Sequence, residues 1–423
     1  MTSKKQECFV YITLPGQTEQ ITAGKYVLEK TEQGIDVGHF VYGRSYLSRA
    51  DAVEIDPIEL KLENKVFNTV TMKGVFGALR DASPDYWGRR IIERNLKVAQ
   101  ADEMTYLLQS ADDRIGALGF GFNQTPPAPN RVFNQKIQLD RLQKEAELLV
   151  NEEVKPENPI TAQVQELLLI GTSMGGARPK AVIEDDDKLW VAKFNRMDDK
   201  WNNALVEYAM LKLAEKCGIE TALSKIVSVA GKDVLLVKRF DREKVSDGYL
   251  RYRMISSLTV LQAGDDYTQR EKWSYIRLAE ELRRISKQAK RDAEQLFRRM
   301  VFNALISNTD DHPRNHAFIA QDKNWQLSPA YDLTPNPLVS IEQRDLAMIC
   351  GQMGRFANKD NLLSEADKFL LNQDQAKKII DDIYKIVKNE WYAIARHAGV
   401  TETDCEKIKS SFVYEGFNYN QKS

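Results

Sequence analysis

The stretch Asn308-Thr309-Asp310-Asp311-His312-Pro313-Arg314-Asn315 decides how this 423-residue chain is read. It follows a segment from about Asp292 to Ile306 in which Ala293, Leu296, Phe297, Met300, Val301, Ala304 and Leu305 recur at helical spacing. It precedes the apolar run Ala317-Phe318-Ile319-Ala320, so an acidic, amide-rich loop is held between two rigid elements and can aim its side chains. Asp310 and Asn315 stand five positions apart. That spacing suits a carboxylate that orients a hydroxyl and takes its proton, with an amide oxygen across the loop that helps hold a magnesium ion. Asp332, in Pro329-Ala330-Tyr331-Asp332-Leu333, lies just beyond the next strand, where a second metal-binding carboxylate is expected. A loop of this composition also reads as a solvated turn, because Asn, Asp and Pro form turns for local backbone reasons. The choice depends on whether the chain also supplies a phosphate cradle and a buried lysine in the right order.

Candidates for both lie upstream. Gly171-Thr172-Ser173-Met174-Gly175-Gly176-Ala177-Arg178-Pro179-Lys180 has the glycines and small side chains that let backbone N–H groups approach phosphate oxygens, and Arg178 or Lys180 could add charge. It is not a Walker A loop, since no Lys-Ser/Thr pair follows Gly176 in the required place. Ala181-Val182-Ile183 and Leu189-Trp190-Val191-Ala192-Lys193-Phe194 read as a hairpin whose second strand carries Val-Ala-Lys, as in the kinase phosphate loop and strand lysine. Lys193 among apolar neighbours needs an acidic partner. Glu207, on the helix expected over Ala204 to Cys217, is the candidate; the alternative is a surface glutamate on an amphipathic helix. Ile226 to Ala230 and Val234 to Phe240 read as a strand pair. Lys238-Arg239-Phe240 then leaves it as a hinge whose backbone could meet an adenine edge. Beyond Asp241 the chain is expected to be helical, apart from a hairpin near His316–Phe318 and Trp325–Leu327, and it ends in an amphipathic helix carrying Ile379, Ile380, Ile383, Val387, Trp391 and Ile394.

Before this core, strands are expected at Cys8 to Ile12, Thr22 to Leu28 and Gly38 to Tyr42, punctuated by Gly16, Gly24, Gly34 and Gly43. A helix begins near Ser83-Pro84-Asp85, with Tyr86, Ile91 and Ile92 available for packing. Asp113 to Gly121 reads as a tight turn into a strand, and Gln124 to Asn130 as a proline-rich linker.

Sixty basic against 61 acidic side chains leave a formal net charge of -1, which gives no support for direct nucleic-acid binding. Four scattered cysteines and four histidines without metal-ligand spacing argue against a disulfide framework and a zinc site. Met1 to Lys5 lacks an apolar leader core and no apolar run approaches bilayer length, so a cytoplasmic location without membrane contact is expected.

The order of glycine-rich loop, strand lysine, helix glutamate, hinge, long helix, D-x4-N loop, hairpin and Asp resembles the HipA family of bacterial serine/threonine kinases, the toxins of toxin-antitoxin pairs. The resemblance rests on Ser173 to Lys180, Val237-Lys238-Arg239-Phe240-Asp241-Arg242, Asn308 to Asn315 and Ser328-Pro329-Ala330-Tyr331-Asp332-Leu333, and extends to Asp113 to Phe120. It implies an α+β, protein-kinase-like two-lobed fold, with a small mixed α/β N-lobe and a mostly helical C-lobe, preceded by an N-terminal β-rich domain. The expected divisions are an N-terminal domain over 1–123, a linker over 124–131, an N-lobe over 132–241 and a C-lobe over 242–423.

It further implies ATP and Mg2+ as cofactors, Asp310 as catalytic base, Asn315 and Asp332 as magnesium ligands, and Lys193 on the α- and β-phosphates. Gly175, Gly176, Ala177, Arg178, Pro179 and Lys180 would cover the phosphates, Lys238, Arg239 and Phe240 would flank the adenine, and His312 would contact or brace the nucleotide loop. Ser173 matches a self-phosphorylated serine, where a dianion should eject the loop from its ATP-bound position. The implied partners are a HipB-like DNA-binding antitoxin on a separate chain and a protein substrate such as an aminoacyl-tRNA synthetase. Arg178-Pro179, Asp311 and Pro313-Arg314 depart from the family pattern, which leaves the metal ligands in place and substrate choice open. Two other readings remain: a kinase-fold binding module within a repressor complex, and a small-molecule kinase of the aminoglycoside-phosphotransferase type.

Overall fold

A computed structural model describes residues 5–129, 133–135, 139–140, 142–143, 178–337, 340 and 342–418. The chain divides into two compact units, one of Met1–Arg196, Lys238–Ile255 and Ile319–Lys323, the other of Met197–Val237, Ser256–Phe318 and Asn324–Ser423.

The first unit opens with an antiparallel sheet of β1 (Lys5–Thr13), β2 (Gln20–Lys30), β3 (Asp36–Tyr42), β4 (Val66–Thr69) and β5 (Leu118–Gly121), in the order β4-β3-β2-β1-β5. Val10, Tyr11 and Ile12 of β1 are all buried, so both faces of its end are covered, and Tyr26, Phe40, Tyr42, Phe67 and Phe76 form an aromatic cluster on the sheet. Gly24 lies inside β2 and does not punctuate it: a Cβ there would stand 2.2 Å from the Val41 carbonyl oxygen and 2.7 Å from the Phe40 ring. The expected helix start is found at Asp85, whose side chain caps the Tyr86–Leu96 helix by accepting from Gly88 N–H. Ile91 and Ile92 are buried there, whereas Tyr86 faces solvent.

Lys180–Asp185 and Lys188–Phe194 pair antiparallel around Asp186 and Asp187, both at positive φ, the two-residue turn that a twisted hairpin prefers. The region just past Asp241 is not helical. Arg242–Val245 and Gly248–Arg251 form a second hairpin in register Val245↔Gly248, because the turn residues Ser246-Asp247 lie between segments with strand pattern. Tyr249 from this hairpin packs against Phe133, Val182 and Leu189.

The second unit is mostly helical. The Asn203–Lys216 helix is capped by Asn202, whose Oδ1 accepts from Leu205 N–H. The Ala289–Leu305 and Gln373–His397 helices pack together through the predicted apolar stripes, with Leu296, Phe297, Met300, Ile380, Ile383 and Val387 fully buried. Ser224–Val229 pairs with Lys232–Lys238 through a tight turn at Ala230-Gly231. Among the described residues, no helix is long and apolar enough to cross a membrane.

Candidate functional site

The Ala289–Leu305 helix ends at Ile306, and the chain leaves it through Ser307 at φ 54. This left-handed turn is held from several sides. Ser307 Oγ donates to the Ser411 carbonyl at 2.6 Å, Asn336 N–H donates to the Ser307 carbonyl at 3.1 Å, and Arg344 reaches both Ser307 Oγ and the Ser410 carbonyl. An unfavourable backbone conformation persists only when its surroundings over-determine it, as they do here.

The loop then alternates sides. Asp310 opens to solvent, Asp311 is buried, His312 and Asn315 are half-buried and His316 is buried again. His312 Nδ1 accepts from Arg314 N–H at 3.2 Å and so starts the short turn Pro313–Asn315, while its ring lies edge-on to Trp273. Asn315 Nδ2 donates to the Asp310 carbonyl at 3.2 Å, which leaves the Asn315 Oδ1 for a cation. Arg314 binds Asp265 at 2.7 Å, and its carbonyl accepts from the Tyr331 hydroxyl at 2.8 Å.

Asp332 arrives from the other side. Its approach segment is fixed to the loop after the Asn203–Lys216 helix by Ala330 N–H to the Glu220 carbonyl, 2.7 Å, and Ala222 N–H to the Ala330 carbonyl, 2.9 Å. Asp332 itself adopts φ 60, a conformation uncommon for a residue with a Cβ and typical of functional sites. Behind it the fully buried Arg299 donates to the Ser328 carbonyl.

These two arms bring the Asp310 and Asp332 carboxylates within electrostatic reach. The Asp310 carboxyl is raised above the ordinary aspartate range, mainly by desolvation at the foot of the loop; His312 opposes that shift and the Asp332 charge adds to it. Much of the Asp310 surface is nonetheless open to solvent, so the desolvation is one-sided. The Asp332 carboxylate and the Asn315 amide oxygen are hard-oxygen donors of the kind magnesium takes, and the repulsion between the Asp332 and Asp310 carboxylates is what a divalent cation would relieve. The residues present therefore fit the ion.

The other candidate residues lie on other elements. Lys193 is half-buried in its strand, directly across from Lys180 in the hairpin register, and lies in the first unit; Glu207 is buried in the second. Lys180 is buried with its ammonium 3.5 Å from Asp85 Oδ2, so it points into its own unit as an anchor for the end of the glycine-rich segment. The Pro179 carbonyl accepts from Phe194 N–H at 3.2 Å, and Arg178 beside it is half-buried. Lys238 and Phe240 are half-buried around Arg239. The Arg239 backbone N–H donates to the Leu189 carbonyl at 2.8 Å, and its guanidinium binds Asp241 and the carbonyls of Asp113 and Arg114. Ser173, Gly175, Gly176 and Ala177 lie outside the described residues.

Sequence reasoning missed a buried polar chain beneath the loop. Asp311 Oδ1 meets His316 Nε2 at 2.8 Å, His316 Nε2 meets the Tyr275 hydroxyl at 3.2 Å, Asn303 Nδ2 donates to that hydroxyl at 3.2 Å, and Asn308 Nδ2 donates to Asn303 Oδ1 at 3.2 Å. Two signals were available: Asn303 interrupts the apolar face of its helix, and Asp311 and His316 repeat the five-residue spacing of Asp310 and Asn315 one position on.

Comparison with known proteins identifies the family and the fold. Residues 172–391 match the model of the HipA-like C-terminal domain, and residues 19–121 match that of the HipA N-terminal domain. Y4mE of Sinorhizobium fredii, a protein named "putative kinase", is 24% identical over 351 residues, covering 77% of this chain and 78% of its own. A Haemophilus influenzae protein of the same designation is 23% identical over 208 residues, covering 43% of this chain and 59% of its own. The HipA of a Shewanella oneidensis MR-1 toxin-antitoxin system, solved with HipB and operator DNA, superposes with a TM-score of 0.67 at 16% identity, over 95% of this chain and 94% of that one. The chain thus has the mixed α/β fold of that protein.

Proposed function

Because the chain belongs to the HipA family, we propose that it is an ATP- and magnesium-dependent protein serine/threonine kinase that arrests growth by phosphorylating a cytoplasmic protein. The observation that carries this reading is the convergence of Asp310, Asn315 and Asp332 on one loop cluster with the Asp310 carboxyl raised. Asp310 would accept the proton of a substrate hydroxyl as its oxygen bonds to the γ-phosphorus of ATP. The β–γ bridging oxygen then leaves with its electron pair on ADP. Magnesium, held by Asn315 and Asp332, would supply charge neutralisation on the phosphate oxygens. Lys193 is assigned to the α- and β-phosphates and Glu207 to its support, by family position. A HipB-like antitoxin is the proposed partner, since the Shewanella protein is seen with HipB and operator DNA. An aminoacyl-tRNA synthetase is the proposed class of substrate, and Ser173 the proposed site of self-phosphorylation.

The test is intact-mass and peptide mass spectrometry after incubation with ATP and magnesium, beside an Asp310→Asn control. Phosphate that maps to Ser173 and vanishes in the control supports both the base and the regulatory loop. No gain, from protein that starts unphosphorylated and binds ATP, favours a binding module or a small-molecule acceptor instead.

A further inference from the structure

We propose that Asp311 and His316 are a positioning pair that fixes the spacing between Asp310 and Asn315 and so sets how readily the site takes up magnesium; this rests on the kinase reading. Each member follows one of the two site residues directly in sequence. The side chains of the pair are 2% and 3% exposed and meet at 2.8 Å, so the buried bond closes the same loop whose outer side carries Asp310 and Asn315. A second tie, Asn315 Nδ2 to the Asp310 carbonyl, spans the interval from the outside. With both in place the two ends of the loop have little freedom to part.

The pair is also anchored. Through Tyr275 and Asn303 it connects to Asn308 at the start of the loop, and Asn308 Nδ2 lies 3.5 Å from the Asp332 carbonyl. The Tyr275 ring stands edge-on to the His316 ring at 5.2 Å, and the His316 carbonyl accepts from Ser257 N–H at 2.8 Å. One polar chain thus runs from the neighbours of Asp310 and Asn315 to the Asp332 backbone.

Stability alone does not account for the pair. Asp311 Oδ2 and His316 Nδ1 are buried and meet no hydrogen-bond partner, and each such atom carries a desolvation cost. An apolar filling of the same volume would avoid both costs. What the apolar filling could not do is hold two loop positions at a fixed separation, which is the property a metal site needs from the groups behind its ligands.

The experiment titrates magnesium into the full-length protein with a non-hydrolysable ATP analogue, by calorimetry, and compares wild type with Asp311→Ala and with the double variant Asp311→Ala/His316→Phe. The double variant removes both polar partners and keeps the ring edge against Tyr275, so it is expected to fold even if the single variant does not. Both variants should raise the magnesium concentration for half-maximal tightening of the nucleotide about tenfold or more, the usual effect of removing a group behind a metal ligand. Metal-free nucleotide affinity should stay at the wild-type value. Asp311→Asn, which keeps an acceptor for His316 Nε2–H, should recover much of the response. A double variant with wild-type magnesium dependence overturns the role of the pair while leaving the kinase reading intact. A wild type that binds no nucleotide, or binds it without regard to magnesium, overturns the kinase reading itself.

Discussion

Replacing Asp241 by asparagine should destabilise the first unit by several kcal/mol and disturb nucleotide binding with it. The Asp241 carboxylate is buried and accepts four hydrogen bonds, from Arg239 Nε at 3.0 Å, Arg239 Nη2 at 2.8 Å, Arg242 Nη1 at 2.7 Å and Gly116 N–H at 2.9 Å. Burial pushes its carboxyl up, but the two guanidiniums more than offset this and hold it well below the usual aspartate range. In Asp241→Asn the shape is kept, one oxygen can still accept, and the new amide N–H groups confront arginine donors. Two buried guanidiniums lose their counter-charge. Breaking a buried pair in this way costs about 3–5 kcal/mol, a large part of a domain stability of roughly 5–15 kcal/mol. The three arginine bonds share one carboxylate and are not additive, so the lower half of that range is the expected value.

Amide hydrogen exchange over Leu118–Gly121, together with a urea titration, would read the loss. The pH dependence adds a second check. A carboxyl whose folded value is depressed contributes stability that is complete above its unfolded value, about 3.9, and is lost as pH falls toward the folded one. The gap between wild type and variant should therefore be flat from neutrality to about pH 4 and narrow below it. Since the Arg239 N–H and Leu189 carbonyl lie at the segment assigned to adenine, the KM for ATP should rise as well. A cost below about 1 kcal/mol, or a gap that does not narrow in acid, refutes the reasoning.

Asp85→Asn keeps the helix cap, because asparagine caps as well as aspartate, and removes the charge beside Lys180; the KM for ATP should rise about fivefold with kcat nearly unchanged, measured by steady-state kinetics. Asp310→Asn should lower kcat by about 10²- to 10⁴-fold as the loss of a general base. Its folded carboxyl is raised, so the charged form opposes folding once pH exceeds the unfolded value, and the metal-free variant should melt no lower than wild type at neutral pH. For the same reason the acid limb of the wild-type kcat profile should lie above the ordinary aspartate range and move to lower pH with rising magnesium. Arg299→Met, similar in length and apolar, should change unfolding free energy by less than about 1 kcal/mol or raise it, since Nε and Nη1 of Arg299 are buried without a hydrogen-bond partner.

What the sequence disclosed follows from the range of the interactions involved. The apolar stripes of the Ala289–Leu305 and Gln373–His397 helices are local and periodic, and they were legible without a partner in view. The spacing of Asp310 and Asn315 was legible because a short loop leaves few ways to place two side chains. The Arg242–Arg251 hairpin was missed although its Asp247-Gly248 turn signal was present, because helical texture downstream outweighed a short strand pattern. Arg239 and Lys180 show a different obstacle. Each reads as a ligand contact from its place in a motif, yet the side chain of each is turned into the first unit, toward Asp241, Asp113 and Arg114 in one case and Asp85 in the other. Those partners lie more than 90 positions away in three of the four instances, and no local pattern encodes such a meeting. A motif therefore fixes where a backbone passes a site more securely than where its long cationic side chains point. The consequence for this chain is specific: Asp85, Asp113 and Arg114 of the N-terminal domain hold Lys180, at the head of the hairpin proposed to bind phosphate, and Arg239, in the segment proposed to meet adenine, so damage to that domain should register in nucleotide affinity before it registers in chemistry.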